Sequence, residues 1–194
     1  IGMYGKMDFY DIKGIVEKMF EVLGMSEKVE YATEKNIAHM HTGRTASICV
    51  ENKQFGYVGE LHPQIASNYG IGTKVYIAVI NMPEVIAYAD LVKEYKALPK
   101  FPAVTRDIAM VVSEDVTVKQ IENVIKQNAG QYLESVKLFD VYQGKQIGKG
   151  LKSVAYSITF RAADKTLVEQ DVTEAMKQIL EHLSSQLQAQ LRDK

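Results

Sequence analysis

Residues 133–160 read LESVKLFDVYQGKQIGKGLKSVAYSITF, and two alternating runs within them, Leu133–Tyr142 and Lys152–Phe160, decide the fold. Alternation at period two is the signature of a half-buried strand. Between the runs, Gln143–Gly150 holds three glycines and two lysines, the composition of a mobile loop. Upstream, Val118–Asn128 carries Ile121, Val124 and Ile125 at helical spacing with Gly130 as its stop, and Arg106–Val112 precedes it as a strand. Downstream, Val172–Leu183 predicts a helix with Ala175, Met176, Ile179 and Leu183 inward, and Leu187–Arg192 a short last strand. The order β-α-β-β-α-β is a ferredoxin-like split unit. Right-handed crossovers then put both helices on one face of a single sheet.

The other face is open, and alternation says what lines it. In the first strand Ile108, Met110 and Val112 suit the core, leaving Asp107, Ala109 and Val111 outward. In the second, Phe139 and Val141 suit the core, leaving Leu138, Asp140 and Tyr142 outward. In the third, Val154, Tyr156, Ile158 and Phe160 point inward and Ser153, Ala155, Ser157 and Thr159 outward. Small residues let a flat ligand approach the backbone. Tyr142 offers a stacking plane and Asp140 offers acceptors for the exocyclic amine and ring N–H of a base. This chemistry suits unstacked single-stranded RNA bases, with Lys100, Lys149, Lys152 and Arg106 as surrounding phosphate contacts. The competing expectation is that such a face packs against another domain.

Residues 1–92 are expected to form a separate domain. Asp8–Leu23 predicts an amphipathic helix burying Ile12, Ile15, Val16, Met19, Phe20 and Leu23, stopped by Gly24. Short strands are expected at Lys28–Thr33 and Val75–Ile80, and a hairpin from Thr45–Glu51 and Phe55–Leu61 turning at Asn52-Lys53. Pro63 and Pro83 each open a short helix. Pro99 and Pro102 rule out regular helix between the halves, and the expected boundary divides 1–92 from 93–194.

The 194 residues carry 23 Lys+Arg against 24 Asp+Glu, which argues against non-specific polyanion binding; the halves differ slightly, at −3 and +2. No apolar run approaches the ~20 residues a membrane span needs. The N-terminus Ile1-Gly2-Met3-Tyr4 lacks a signal-peptide pattern and an initiator Met, so the expectation is a soluble, cytoplasmic fragment of a longer chain. Cys49 alone cannot form a disulfide and is expected as a small core residue. No phosphate-binding P-loop, H-E-x-x-H or G-x-S-x-G occurs. Gly144, Gly148 and Gly150 have the wrong spacing for a phosphate loop, although Lys145 and Lys149 could bring it to phosphate. His39, His41 and His62 are expected to serve structure or solvent and not a metal. Glu169 and Asp171 suit the first turn of a helix better than an acid–base pair. Ferredoxin-like domains also serve as regulatory modules and acyl-phosphate hydrolases, but Ser113-Glu114-Asp115 puts anionic residues where a hydrolase needs an anion cradle.

Three blocks, Leu98–Ala109, Leu133–Gly144 and Lys152–Leu167, resemble successive parts of the ferredoxin-fold anticodon-binding domain of the bacterial phenylalanyl-tRNA synthetase beta-subunit family. Upstream, Asp8–Gly14, His41–Ala46 and Gly59–Pro63 resemble the end of that family's catalytic-like module. Thr42 departs from the Pro common there. The resemblance implies an α+β chain: the tail of a class II synthetase-like module of mixed or antiparallel sheet with helices, then a βαββαβ sandwich. It implies RNA-contacting positions at Ala109, Asp140, Tyr142 and Ser153 and a terminal basic contact at Arg192, to which the sheet reading adds Lys152 as a phosphate contact. It further implies phenylalanine tRNA and an alpha subunit as partners, in a heterotetramer of two alpha and two beta chains. ATP and Mg²⁺ would act in the whole ligase, with no cofactor and no catalytic residue in this chain. A regulatory module or a pure assembly scaffold is the alternative expectation.

Overall fold

The computed structural model describes residues 1–92, 95, 97–144 and 146–192. The chain divides into two compact units, Ile1–Lys96 and Ala97–Lys194. Lys93, where the second domain was expected to begin, lies outside the described residues.

The first unit is built from β1 (Gly2–Tyr4), α1 (Phe9–Val22), β2 (Val29–Thr33), β3 (Met40–Val50), β4 (Lys53–Leu61), α2 (Pro63–Asn68), β5 (Val75–Ile80) and α3 (Met82–Tyr88). Its sheet runs β1-β5-β4-β3-β2 with every pair antiparallel. Helix α1 starts where Asp8 accepts from the backbone N–H of Tyr10 and Asp11 and the Asp11 carboxylate accepts from the Asp8 N–H, a reciprocal cap that satisfies orphan donors. It buries Ile12, Val16 and Phe20 against Ile48, Val50, Phe55 and Val58. Each such side chain contributes ~1.5–3 kcal/mol. Ile15, expected inward, is 43% exposed because the buried stripe is narrower than the apolar one. The hairpin turns on Glu51 and Asn52, both at positive φ (49° and 66°), the backbone a two-residue turn needs to match strand twist. Cys49 is half-buried on the face opposite Ile48 and Val50, so it is not the core residue expected. Strand β1 had no period long enough to reveal it, and it pairs β5 at the sheet's edge.

The second unit contains β6 (Val104–Ser113), α4 (Val118–Asn128), β7 (Leu133–Tyr142), β8 (Leu151–Phe160), α5 (Glu169–Leu187) and β9 (Gln190–Leu191). The sheet order β7-β8-β6-β9, antiparallel throughout, is the ferredoxin-like arrangement. Thr117 caps α4, accepting from the Gln120 N–H while the Gln120 side chain accepts from the Thr117 N–H. Helix α5 is longer than its apolar stripe predicts and ends at Gln188, whose φ is 52°. One core joins Ile108, Met110 and Val112 of β6 to Val154, Tyr156, Ile158 and Phe160 of β8 and to Ile121, Ile125, Ile179 and Leu183 of the helices.

Candidate nucleic-acid interface

Residues paired directly across antiparallel strands present their side chains to the same face. Val154, Tyr156, Ile158 and Phe160 lie under the helices, so Ser153, Ala155, Ser157 and Thr159 face the other way. Their β6 partners are Val111, Ala109, Asp107 and Thr105. From the other side, Tyr142 pairs Ser153, Asp140 pairs Ala155 and Lys137 pairs Ser157. Two cross-strand rows result on the helix-free face: Tyr142–Ser153–Val111 and Asp140–Ala155–Ala109. Strand β9 completes them, since Gln190 pairs Val111 and the Arg192 N–H donates to the Ala109 carbonyl at 3.0 Å.

Five of the six expected site residues, Ala109, Asp140, Tyr142, Ser153 and Arg192, therefore meet on one surface. Tyr142 is 41% exposed, and the exposed Asp140 carboxylate has no hydrogen-bond or ion-pair partner among the described residues. Ser153 is only 6% exposed, sheltered in its row beside Tyr142. Lys152 does not join them. It pairs Val112, a core residue, so it sits on the helix-bearing side, and its Nζ donates to the Glu114 carbonyl at 3.0 Å. Arg106 also departs from expectation: it pairs Ile158, on the helix side, and its guanidinium donates to both Glu169 oxygens at 2.6 and 2.8 Å. Lys100 and Lys149 are exposed outside the sheet, and Lys145 lies outside the described residues.

Strand β7 carries a correction. Leu138, expected outward, packs against the core, whereas Phe139, expected inward, is 55% exposed. The cause is a bulge: Leu138 pairs Tyr156 and Asp140 pairs Ala155, the next residue of β8, so Phe139 has no partner. One extra residue resets the alternation. Before it, Val136 and Leu138 face the core; after it, Asp140 and Tyr142 face away. The same reset puts exposed Lys137 on the open face, a cation that strict alternation hid. Its signal was present in the sequence, because apolar even-numbered positions 136 and 138 are followed by polar 140 and 142.

The histidines have separate local roles. His39 Nε2 lies 2.9 Å from the Tyr57 hydroxyl, while His41 and His62 each accept a nearby backbone N–H. Among the described residues no three His, Cys, Asp or Glu side chains converge as metal ligands. No helix among them is long and apolar enough to cross a membrane.

Comparison with known proteins assigns the chain a family. Residues 99–192 match the family model of the ferredoxin-fold anticodon binding domain, and residues 2–82 that of the phenylalanyl tRNA synthetase beta chain CLM domain. The chain is 45% identical, over 99% of its length, to the phenylalanine–tRNA ligase beta subunit of Clostridium acetobutylicum. It is 39% identical over 96% to that of Streptococcus thermophilus and 38% over 96% to that of Listeria monocytogenes. The chain spans about a quarter of these relatives' length, 24%, 23% and 23% respectively. Two consecutive family models and identity maintained across both units lead to one conclusion: the chain belongs to the phenylalanyl-tRNA synthetase beta-chain family.

Proposed function

We propose that the open face of the second unit binds the anticodon loop of phenylalanine tRNA and thereby helps to place that tRNA for ATP-dependent aminoacylation by an alpha subunit. The observation that supports this most directly is the convergence of Asp140, Ala109 and Arg192 in one cross-strand row beside Tyr142. Tyr142 stacks a base. Asp140 accepts from that base's ring N–H and exocyclic amine, a pairing that favours a guanine-like edge. Ala109 keeps the backbone approachable, Ser153 adds a sheltered hydroxyl, and Arg192 meets phosphate. Lys152, already bonded to a main-chain carbonyl on the other side, gives way to Lys137 as the second cation. The contribution is orientation rather than chemistry, since anchoring one end of a tRNA restricts where its distant end can go.

The first unit, taken as 1–92, acts in this reading as an assembly module toward the rest of the enzyme, a heterotetramer of two alpha and two beta chains in the cytoplasm. Tyr4, Tyr10, Tyr69 and Ile86, at least 70% exposed, give it apolar surface to bury there. In this reading ATP and Mg²⁺ act in the whole enzyme.

The test is a fluorescence-anisotropy titration of the 194-residue chain with the phenylalanine anticodon stem-loop at one fixed salt concentration. Tyr142→Ala is expected to weaken saturable binding by about 1–3 kcal/mol, the worth of one stacked base. A loop with its first anticodon base replaced should weaken comparably. Equal affinity for both loops and both proteins would reduce the surface to a charge-driven RNA contact.

A further inference from the structure

The loop after β7 contains glycines of two kinds. Gly148 and Gly150 have φ of 99° and 77°, so the turn itself requires them. Gly144 is not in the left-handed region, and no turn geometry demands glycine there. What demands it is space. A Cβ on Gly144 would fall 2.6 Å from Cζ and 3.0 Å from Cε1 of Tyr142, and closer still to the hydroxyl oxygen. Nothing else is among the three nearest obstacles, and all three atoms belong to the far end of one side chain. The phenol end of Tyr142 thus lies directly over the bare Cα of Gly144, two residues along the chain, while the residue as a whole stays 41% exposed.

We propose that Gly144 is a positioning residue: it seats the Tyr142 ring in the place from which it stacks on an RNA base, a role that rests on the anticodon-binding reading above. An exposed tyrosine would otherwise sample several rotamers and lose that freedom on binding. A ring already held against the backbone pays that ordering cost before the RNA arrives. Any larger residue at 144 displaces the ring instead of the backbone, because the ring tip is what yields. The strand pairing of Tyr142 with Ser153 involves its backbone and survives the substitution.

The experiment measures affinity of the 194-residue chain for the phenylalanine anticodon stem-loop in a double-mutant cycle of Gly144→Ala and Tyr142→Ala. Gly144→Ala is expected to weaken binding about three- to tenfold, the ordering cost of one side chain, with the thermal unfolding midpoint unchanged. The double variant should bind no worse than Tyr142→Ala alone, because Gly144 acts only through the ring. Tyr142→Phe/Gly144→Ala, lacking the nearest obstructing atom, should recover part of the loss. Independently of any variant at 144, ring current from Tyr142 should shift the Gly144 α-proton resonances of the unsubstituted chain, and Tyr142→Ala should abolish that shift. Wild-type affinity for Gly144→Ala, with Tyr142→Ala weakened, overturns the seating role and leaves the anticodon reading intact. So do additive losses in the double variant, or an unshifted Gly144 resonance. Wild-type affinity for Tyr142→Ala removes both.

Discussion

Strands β7 and β8 are ten residues long and pair at eight positions, but they live under different constraints. Strand β8 has a neighbour on both sides and a helix layer below, and its alternation is unbroken from Ser153 to Phe160. Strand β7 has one neighbour and a free edge, and it carries the bulge at Phe139. A bulge in β8 would misalign two ladders and lift Tyr156 or Ile158 from the core. In β7 it disturbs one ladder and swings only an edge. Bulges collect where they re-aim side chains cheaply, at sheet edges and beside binding sites. Here the bulge lets one strand hold Leu138 in the core and Asp140 and Tyr142 on the opposite face.

Two phenylalanines give the widest separation between these strands. Phe160→Ala on β8 removes a fully buried ring and should cost about 3–5 kcal/mol in denaturant unfolding, near the stability of a small domain. Phe139→Ala on β7, already 55% exposed, should stay within about 0.5–1 kcal/mol. A Phe139→Ala loss rivalling that of Phe160→Ala would mean that the bulge residue is a core anchor after all.

Two lysines sharpen the same contrast on the RNA side. Lys137→Ala should weaken anticodon-loop binding uniformly across sequences and lower the magnitude of the salt slope by about 0.7. Lys152→Ala should change neither quantity, because its ammonium is held on the helix side at the Glu114 carbonyl. A reversed pair of results, measured by titration at several salt concentrations, would show that the bulge does not set the faces as described.

The smallest effect concerns a polar atom that β8 sends into its core. The Tyr156 hydroxyl is buried with no hydrogen-bond partner among the described residues, and burial, reinforced by Glu122, raises its pKa above that of a free phenol. Tyr156→Phe removes an unpaired polar atom without changing the ring, so stability should stay level or rise by up to about 1 kcal/mol. A clear loss in thermal unfolding would mean that the hydroxyl has a partner, such as an ordered water, in solution.

Most of the second unit was legible because its strands and helices are long enough for their periods to be unambiguous. Helix α4 and strand β7 run between the residues that their patterns mark, Val118–Asn128 and Leu133–Tyr142. Strand β1, three residues long, and the start of β3 at Met40, five residues before the clean pattern at Thr45, were not legible. There the strand is irregular, and Gly59 approaches so closely that a Cβ would lie 2.5 Å from the Arg44 carbonyl oxygen, a fit visible only in three dimensions.

The amino-acid order by itself determined the β-α-β-β-α-β succession, the helix-free face and the candidacy of Ala109, Asp140, Tyr142 and Ser153, because hydrophobic period and turn chemistry are local properties, while Arg192 entered through the family resemblance. Tertiary structure alone decided that the Glu114 carbonyl holds the Lys152 ammonium and Glu169 the Arg106 guanidinium, that Phe139 drops out of the strand pairing, and that the end of the Tyr142 ring lies over Gly144. Each of those depends on register between strands or on a close approach, and both are set by pairing and packing partners rather than by the chain's own pattern.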